Sequence, residues 1–211
     1  GVLPSTAWKA AAYKRPEQKK WYAGETISIG IGQGYNAFTP LQLAHATAIL
    51  ANDGVVMKPH LVKMIENGTT HQRTLTVPKE SYRIPLKQEN IDVIKNAMVG
   101  VNKEGTGARA FARAEYVSAG KTGTAQVIAI KKGEKYDASK ISDRHHDHAL
   151  YTAFAPADHP RIALALIVEN GGFGGAAAAP IAKIAMDFYL LGKRPDAKEA
   201  AKPKNEPKEE F

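Results

Sequence analysis

The nine residues from Ala119 to Val127, AGKTGTAQV, put one lysine, two hydroxyls and two glycines into five consecutive positions. Two chemistries use such a run. A nucleotide-binding loop sets Gly-Lys-Thr behind a glycine turn, between a strand and a helix. A peptide-binding or acyl-transfer edge instead sets the lysine on a strand, beside backbone groups left open to a ligand. The nucleotide loop needs a glycine five positions before Gly120, and Glu115 stands there. A carboxylate at that point opposes phosphate. The residues after Lys121, TGTAQVIAI, are rich in threonine and branched side chains and favour a strand over a helix.

On a strand, Lys121 and Gly123 share one face, and Thr122 and Thr124 the other. Lys121 brings a cation that binds a carboxylate or tunes a neighbouring hydroxyl. Gly123 lets a ligand approach the backbone closely. Open amides at such an edge pair with an extended peptide as an added strand would. A backbone N–H aimed at a developing oxyanion contributes stabilisation of about 3 kcal/mol. Lys121, Thr122, Gly123 and Thr124 are therefore the candidate site.

Other runs imitate functional motifs. Ser118-Ala-Gly-Lys121 has the form of a Ser-x-x-Lys nucleophile motif, which works on a helix where residues three apart share a face. On a strand the two side chains point apart. Gly30, Gly32 and Gly34 resemble part of a dinucleotide fingerprint, but Tyr35 stands where the third glycine belongs, so a close-packed turn is expected. Asp143, His145, His146, Asp147 and His148 offer metal-ligand chemistry if a helix aligns His145 with His148; a solvated loop before a strand is the plainer reading. Trp8 and Trp21 are expected to be packing residues.

The 211-residue chain is long enough for one domain with a sizeable core. It has no cysteine, which excludes disulfides, thiolate metal sites and a cysteine nucleophile. It has no apolar run of about 18 residues, the length a bilayer span needs. Its net charge is +8. Almost all of that lies before Gly192, a surface that suits an anionic partner without choosing one.

Several elements must position the candidate strand. Gly1 to Trp21 reads as loop, and ETISIGIGQGYNAF as a short apolar strand running into glycines. Thr39, Pro40 and Gln42 form a capping box and open a helix that Gly54 ends, with Leu43, Thr47 and Leu50 on one face. Residues 55–77 read as short strands around an Asn67-Gly68 hairpin turn. A second helix spans Gln88 to Asn102, with Ile91, Ile94, Met98 and Val101 as its apolar stripe. KEGTGARAF closes it as a loop. Strands are expected over 117–130, 148–155 and 161–169, and their short connections favour an antiparallel sheet. A helix over 176–191 follows, and the Lys-, Glu-, Ala- and Pro-rich segment 192–211 reads as a disordered tail.

Five blocks in register go further: GQGYNAFTPLQLA, ANDGVVMKPHLV, AGKTGTAQV, HALYTAFAP and IALALIVENGG. Together they resemble the C-terminal part of the transpeptidase domain of class B penicillin-binding proteins, above all the elongation type, penicillin-binding protein 2. The resemblance covers residues 1–191. It implies an α+β fold of the penicillin-binding and serine β-lactamase type, with a five-stranded antiparallel sheet flanked by helices. It implies that Lys121 contacts the Ser-x-Asn network and, with Thr122, the carboxylate of a peptidoglycan stem peptide or β-lactam. It gives the Thr124 N–H half of the oxyanion hole, and Gln33 and Gly34 a structural turn. It implies no cofactor, no catalytic metal and no nucleic-acid partner. A membrane anchor in the full-length protein, work at the periplasmic face of the bacterial inner membrane and a SEDS-class glycosyltransferase partner also follow from it. One departure is large. The family's Ser-x-x-Lys and Ser-x-Asn motifs precede the region that matches Gly1, and Ser142-Asp-Arg144 lacks the asparagine. The acylated serine is therefore expected upstream, with this chain inactive alone; a catalytically silent peptidoglycan-binding module is the alternative.

Overall fold

The computed structural model of the chain describes residues 1–128 and 141–195, so the end of the 117–130 strand and most of the 192–211 tail lie outside the described residues. The fold is α+β. Strands β5 (Ala119–Ala125), β6 (His148–Ala155) and β7 (Ile162–Val168) form an antiparallel sheet in the order β5-β6-β7. Among the described residues it has three strands rather than five. Helix α7 (Gly174–Leu191) covers one face, burying Ala178, Ala179, Ala182 and Met186 against Tyr151 and Ala153 of β6. Helix α4 (Pro40–Ala51) lies on the opposite face, where Ala51 packs with Ala119 and Phe154. The alternation of small and large residues along β6 builds both layers.

Helix α4 starts as its sequence dictates. The Thr39 hydroxyl accepts from the Gln42 N–H at 3.2 Å, and the Gln42 side chain accepts from the Thr39 N–H at 3.0 Å. Gly54, at φ 84°, turns the chain out of the helix. Helix α5 (Gln88–Lys103) also forms, but with a shifted stripe. Ile91 is buried and Ile94 is 48% exposed, while Met98 and Val99 pack beside Ala119. Asn102 then turns into the core on the other face of β5. The helix thus crosses the outer edge of the strand at its start.

The first 38 residues differ from the sequence expectation. Helices α1 (Thr6–Ala12), α2 (Pro16–Lys19) and α3 (Ala23–Gly30) replace the expected loop and strand. Capping decided against β-propensity here. Ser5 accepts from the Trp8 N–H, Pro16 opens α2, and Glu25 reaches back to the Tyr22 N–H. Lys9, 2% exposed, pairs with Glu25 and lies against the rings of Tyr22 and Tyr35. Trp8 packs with Tyr13 and Tyr35, and Trp21 donates to Thr26. Both tryptophans are half-buried packing residues.

Between α4 and α5, β1 (Val55–Met57) pairs with β4 (Glu80–Arg83), and β2 (Met64–Glu66) pairs with β3 (Arg73–Leu75). The hairpin exists, but its loop runs over residues 67–72 rather than two residues. The Asn67 carboxamide accepts from the Thr69 and Thr70 N–H groups and rounds it off. KEGTGARAF is not all loop either: α6 (Ala108–Phe111) adds one helical turn, with Phe111 stacked on Tyr151. Among the described residues no helix is long and apolar enough to cross a membrane.

Two expectations follow. The Tyr151 hydroxyl donates to Asn102 Oδ1 at 2.5 Å, and Asn102 Nδ2 donates to Ser118 Oγ at 2.9 Å, all three residues being buried. Asn102→Ala strands both hydroxyls and is expected to cost about 2–4 kcal/mol, read from the urea midpoint; an unchanged midpoint contradicts the network. The second concerns Glu25, whose carboxyl is held below its ordinary value of 4.5, first by Lys9 and then by the Tyr22 N–H. A lowered folded-state value stabilises above the unfolded value and loses that contribution as pH falls through the folded one. Stability should therefore fall below about pH 4.5 more steeply in the parent protein than in Glu25→Gln, measured by thermal melts across acid pH.

Candidate active-site strand

β5 pairs only with β6 among the described residues, in the register Lys121↔Thr152, Thr122↔Tyr151, Gly123↔Leu150, Thr124↔Ala149. Its other edge is open over the C-terminal half, beyond the point where α5 crosses. Thr122, Gly123 and Thr124 lie on that stretch, and Lys121 directly precedes it. Lys121 is exposed, and its ammonium donates to the Thr122 carbonyl at 2.8 Å. Gln33 Nε2 donates to the Thr124 carbonyl at 3.2 Å. Neither donor comes from β6, so these carbonyls face the outer edge. In an antiparallel ladder a residue's N–H and C=O point the same way, so the Thr122 and Thr124 amides face outward too.

The side-chain alternation is as expected. Thr122 lies on the α7 face with Tyr151, and Lys121 on the other. The faces are set by two glycines that start α7. A Cβ on Gly174 would come within 2.3 Å of the Leu150 carbonyl and 2.7 Å of the Gly123 carbonyl. The helix N-terminus therefore sits directly on the strand backbone. Gly120 is equally constrained, since a Cβ there would lie 2.1 Å from the Tyr151 hydroxyl. Burial pushes the Tyr151 phenol above its ordinary pKa, which keeps it a neutral donor.

Sequence reasoning missed two residues that meet this strand. Gln33, read as structural, reaches β5 from a turn in which Gly32 and Gly34 take φ 81° and 66°. Asn36 Nδ2 holds the Gln33 carbonyl at 2.9 Å. The spaced glycines signalled the turn, but nothing local signalled its long-range partner. Thr106, in the turn between α5 and α6, sets its hydroxyl 2.8 Å from the Thr122 hydroxyl. The Gly-Thr-Gly around it was the available signal.

The imitations separate cleanly. The chain continues as a strand through Lys121 and Thr122 to Ala125, so no helix starts at the lysine and no phosphate loop forms. Ser118 is 3% exposed and bonded to Asn102, buried away from the exposed Lys121. His145 ends a short 3-10 turn and meets Ser142 at 3.2 Å, whereas His148 opens β6 and accepts from the Asn170 N–H at 2.9 Å. No helix aligns them, and among the described residues no group of three or more acidic or histidine side chains is placed to hold a metal ion. A cavity of about 650 Å³ lies between α6 and α7, lined by Arg109, Arg113, Lys183 and Asp187. None of the four candidate residues lines it; theirs is an open rim.

Comparison with known proteins identifies the family. The family described as the penicillin binding protein transpeptidase domain matches residues 9–187. Peptidoglycan D,D-transpeptidase MrdA of Haemophilus influenzae is 43% identical over 203 residues, covering 92% of this chain and 29% of that protein. The chain thus spans about three-tenths of the length of that curated relative. The crystal structure of Pseudomonas aeruginosa PBP2 in complex with WCK 5153 superposes with a TM-score of 0.71 at 38% identity, over 96% of this chain and 41% of that one. The penicillin G acyl-enzyme complex of penicillin-binding protein A from M. tuberculosis superposes at 0.59 and 32% identity, over 78% and 34%. With an edge strand carrying Lys-Thr-Gly-Thr and a family match over most of its length, this chain belongs to the penicillin-binding protein transpeptidase domain family.

Proposed function

We propose that residues 1–191 are the C-terminal portion of a serine D,D-transpeptidase domain that cross-links peptidoglycan stem peptides and is acylated by β-lactams. The observation that carries this reading is the open half-edge of β5, where Lys121, Thr122, Gly123 and Thr124 present one cation, hydroxyls and outward amides within 7 residues of strand. The nucleophilic serine is supplied by a part of the protein outside this chain. It attacks the carbonyl of the D-Ala-D-Ala bond, giving a tetrahedral oxyanion. Collapse expels D-alanine, whose amine takes up a proton, and leaves an acyl-serine ester. A neighbouring stem's amine then displaces the serine and forms the cross-link.

Each residue has a place in that sequence. Lys121 and Thr122 hold the terminal carboxylate of the donor peptide, a charge-assisted pair of contacts. Gly123 leaves room for the peptide to lie along the strand. The Thr124 N–H donates to the oxyanion, where charge develops only in the transition state. The ammonium of Lys121 exchanges its Thr122 carbonyl for the substrate. A β-lactam enters the same edge, acylates the serine, and stalls because its leaving amine stays tethered. The chemistry needs no cofactor. The membrane anchor lies outside this chain, the domain works at the periplasmic face of the inner membrane, and a SEDS-class glycosyltransferase supplies the glycan strands.

The test uses the full-length protein that contains this chain. Fluorescent penicillin should label it covalently, and the label should survive denaturation. Lys121→Ala should slow labelling by about 10- to 100-fold, the equivalent of one charged hydrogen bond. The 211-residue chain alone should take no label. A full-length protein that binds stem peptide but takes no label is a silent binding module, and overturns the transpeptidase reading.

A further inference from the structure

We propose that Thr106 is a positioning residue for the carboxylate-binding hydroxyl of Thr122, an inference that rests on the transpeptidase reading and deepens it. The two hydroxyl oxygens are 2.8 Å apart although the residues belong to different elements, the turn after α5 and the edge strand β5. Their meeting is built into the backbone on both sides. A Cβ on Gly105 would lie 2.8 Å from the Val101 Cα, and one on Gly107 would lie 2.4 Å from Asn102 Oδ1. A Cβ on Gly175 would lie 2.4 Å from the Thr106 carbonyl. The Gly107 N–H donates to the Val101 carbonyl at 2.9 Å and the Ala108 N–H to the Gly105 carbonyl at 3.0 Å. Thr106 is thus gripped through its own backbone and those of its neighbours, while its side chain stays exposed.

Thr122 is held in the complementary way. Its methyl carbon lies 3.7 Å from where a Gly175 Cβ would stand, so the methyl faces the start of α7 and the hydroxyl faces Thr106. A β-branched side chain with both branches engaged is confined to one rotamer.

The chemistry follows from the inventory of a hydroxyl, which has one proton to donate and two lone pairs. A carboxylate only accepts, so Thr122 must give it that single proton. Among the described residues the Thr106 hydroxyl has no hydrogen-bond partner besides Thr122. When Thr106 donates to Thr122, the Thr122 proton is free for the ligand, and the chain Thr106–Thr122–carboxylate polarises in one direction. When the site is empty the pair can reverse, since either oxygen can be the donor. Thr106 therefore strengthens binding of a ligand that carries a carboxylate and does little for one that lacks the charge.

The experiment is a cycle between one residue and one ligand group, on the full-length protein. Acylation rates are measured with penicillin G and with its methyl ester, for the parent protein, Thr106→Val, Thr106→Ser and Thr106→Ala. Valine keeps the shape and removes the hydroxyl; serine keeps the hydroxyl. Thr106→Val is expected to slow acylation by penicillin G about tenfold and by the ester less than twofold. Thr106→Ser should stay within twofold of the parent on both. Thermal melts accompany each variant, and Thr106→Ala replaces Thr106→Val if valine does not fold. An equal loss on acid and ester marks a merely structural residue and overturns the proposal, as does an unchanged rate on penicillin G. If the parent protein takes no label from penicillin G, the transpeptidase reading itself falls, and the Thr106 role with it.

Discussion

The structure turns on a joint that excludes side chains. Gly174 and Gly175 start α7 in direct contact with the backbones of Leu150, Gly123 and Thr106, at separations that no Cβ tolerates. Four elements meet there: the helix that covers the sheet, the edge strand, its neighbour β6, and the turn after α5. Because the contact is backbone to backbone, the height of α7 above the sheet is not negotiable through rotamers. A side chain at either glycine would have to lift the helix or push the strand, and interiors packed to crystal-like density yield to neither. The position of the candidate strand is thus determined from behind, by the layer that carries none of its chemistry.

A polar network complements that joint on the same face. Asn102, Ser118 and Tyr151 satisfy one another inside an apolar layer of Ala177, Ala178, Ala182 and Met186. Leaving any of the three unpaired would expose the full desolvation cost of a buried dipole, so the network selects a single register between α5 and β5. Packing of alanines alone would tolerate sliding. Directional bonds do not. The sheet therefore holds its edge strand by shape at the α7 N-terminus and by hydrogen bonding near Ala119, with Lys121 to Thr124 running between and beyond these anchors.

Legibility in the sequence follows the range of the forces involved. The Thr39 capping box, the Gly54 stop, the three sheet strands and α7 are governed by local pattern, and their signals agree with the fold. The error over α3 arose where two local signals conflict: Ile27, Ile29 and Ile31 favour a strand, but Glu25 caps a helix and pairs with buried Lys9. That pairing is sixteen residues distant and carries no periodic signature. The stripe on α5 shifted for a similar reason, because the helix crosses a strand edge and needs Asn102 inward more than Ile94. The candidate site was legible as a strand with alternating faces. Its supports, Gln33 and Thr106, were not, since a side chain that meets a strand across a long loop leaves only a glycine nearby as its trace.

The behaviour of Lys121 shows what kind of edge this is. An ammonium has three donors and no acceptor, and on an exposed strand it takes whatever oxygen is near; here that is the carbonyl of its own neighbour Thr122. Such a contact lacks the charge–charge attraction a carboxylate would add, because a carbonyl offers the ammonium only a dipole. The cation is therefore held in place but not satisfied, and the same holds for the outward Thr124 carbonyl, which accepts from the neutral Gln33 amide at 3.2 Å. A ligand with a carboxylate and an extended backbone can replace both contacts with better ones, one electrostatic and one in the ladder direction. A lysine on an edge strand and side chains laid over its outward groups are general devices against pairing with another chain's strand. The ligand proposed for this edge offers a charge and a backbone in the same register.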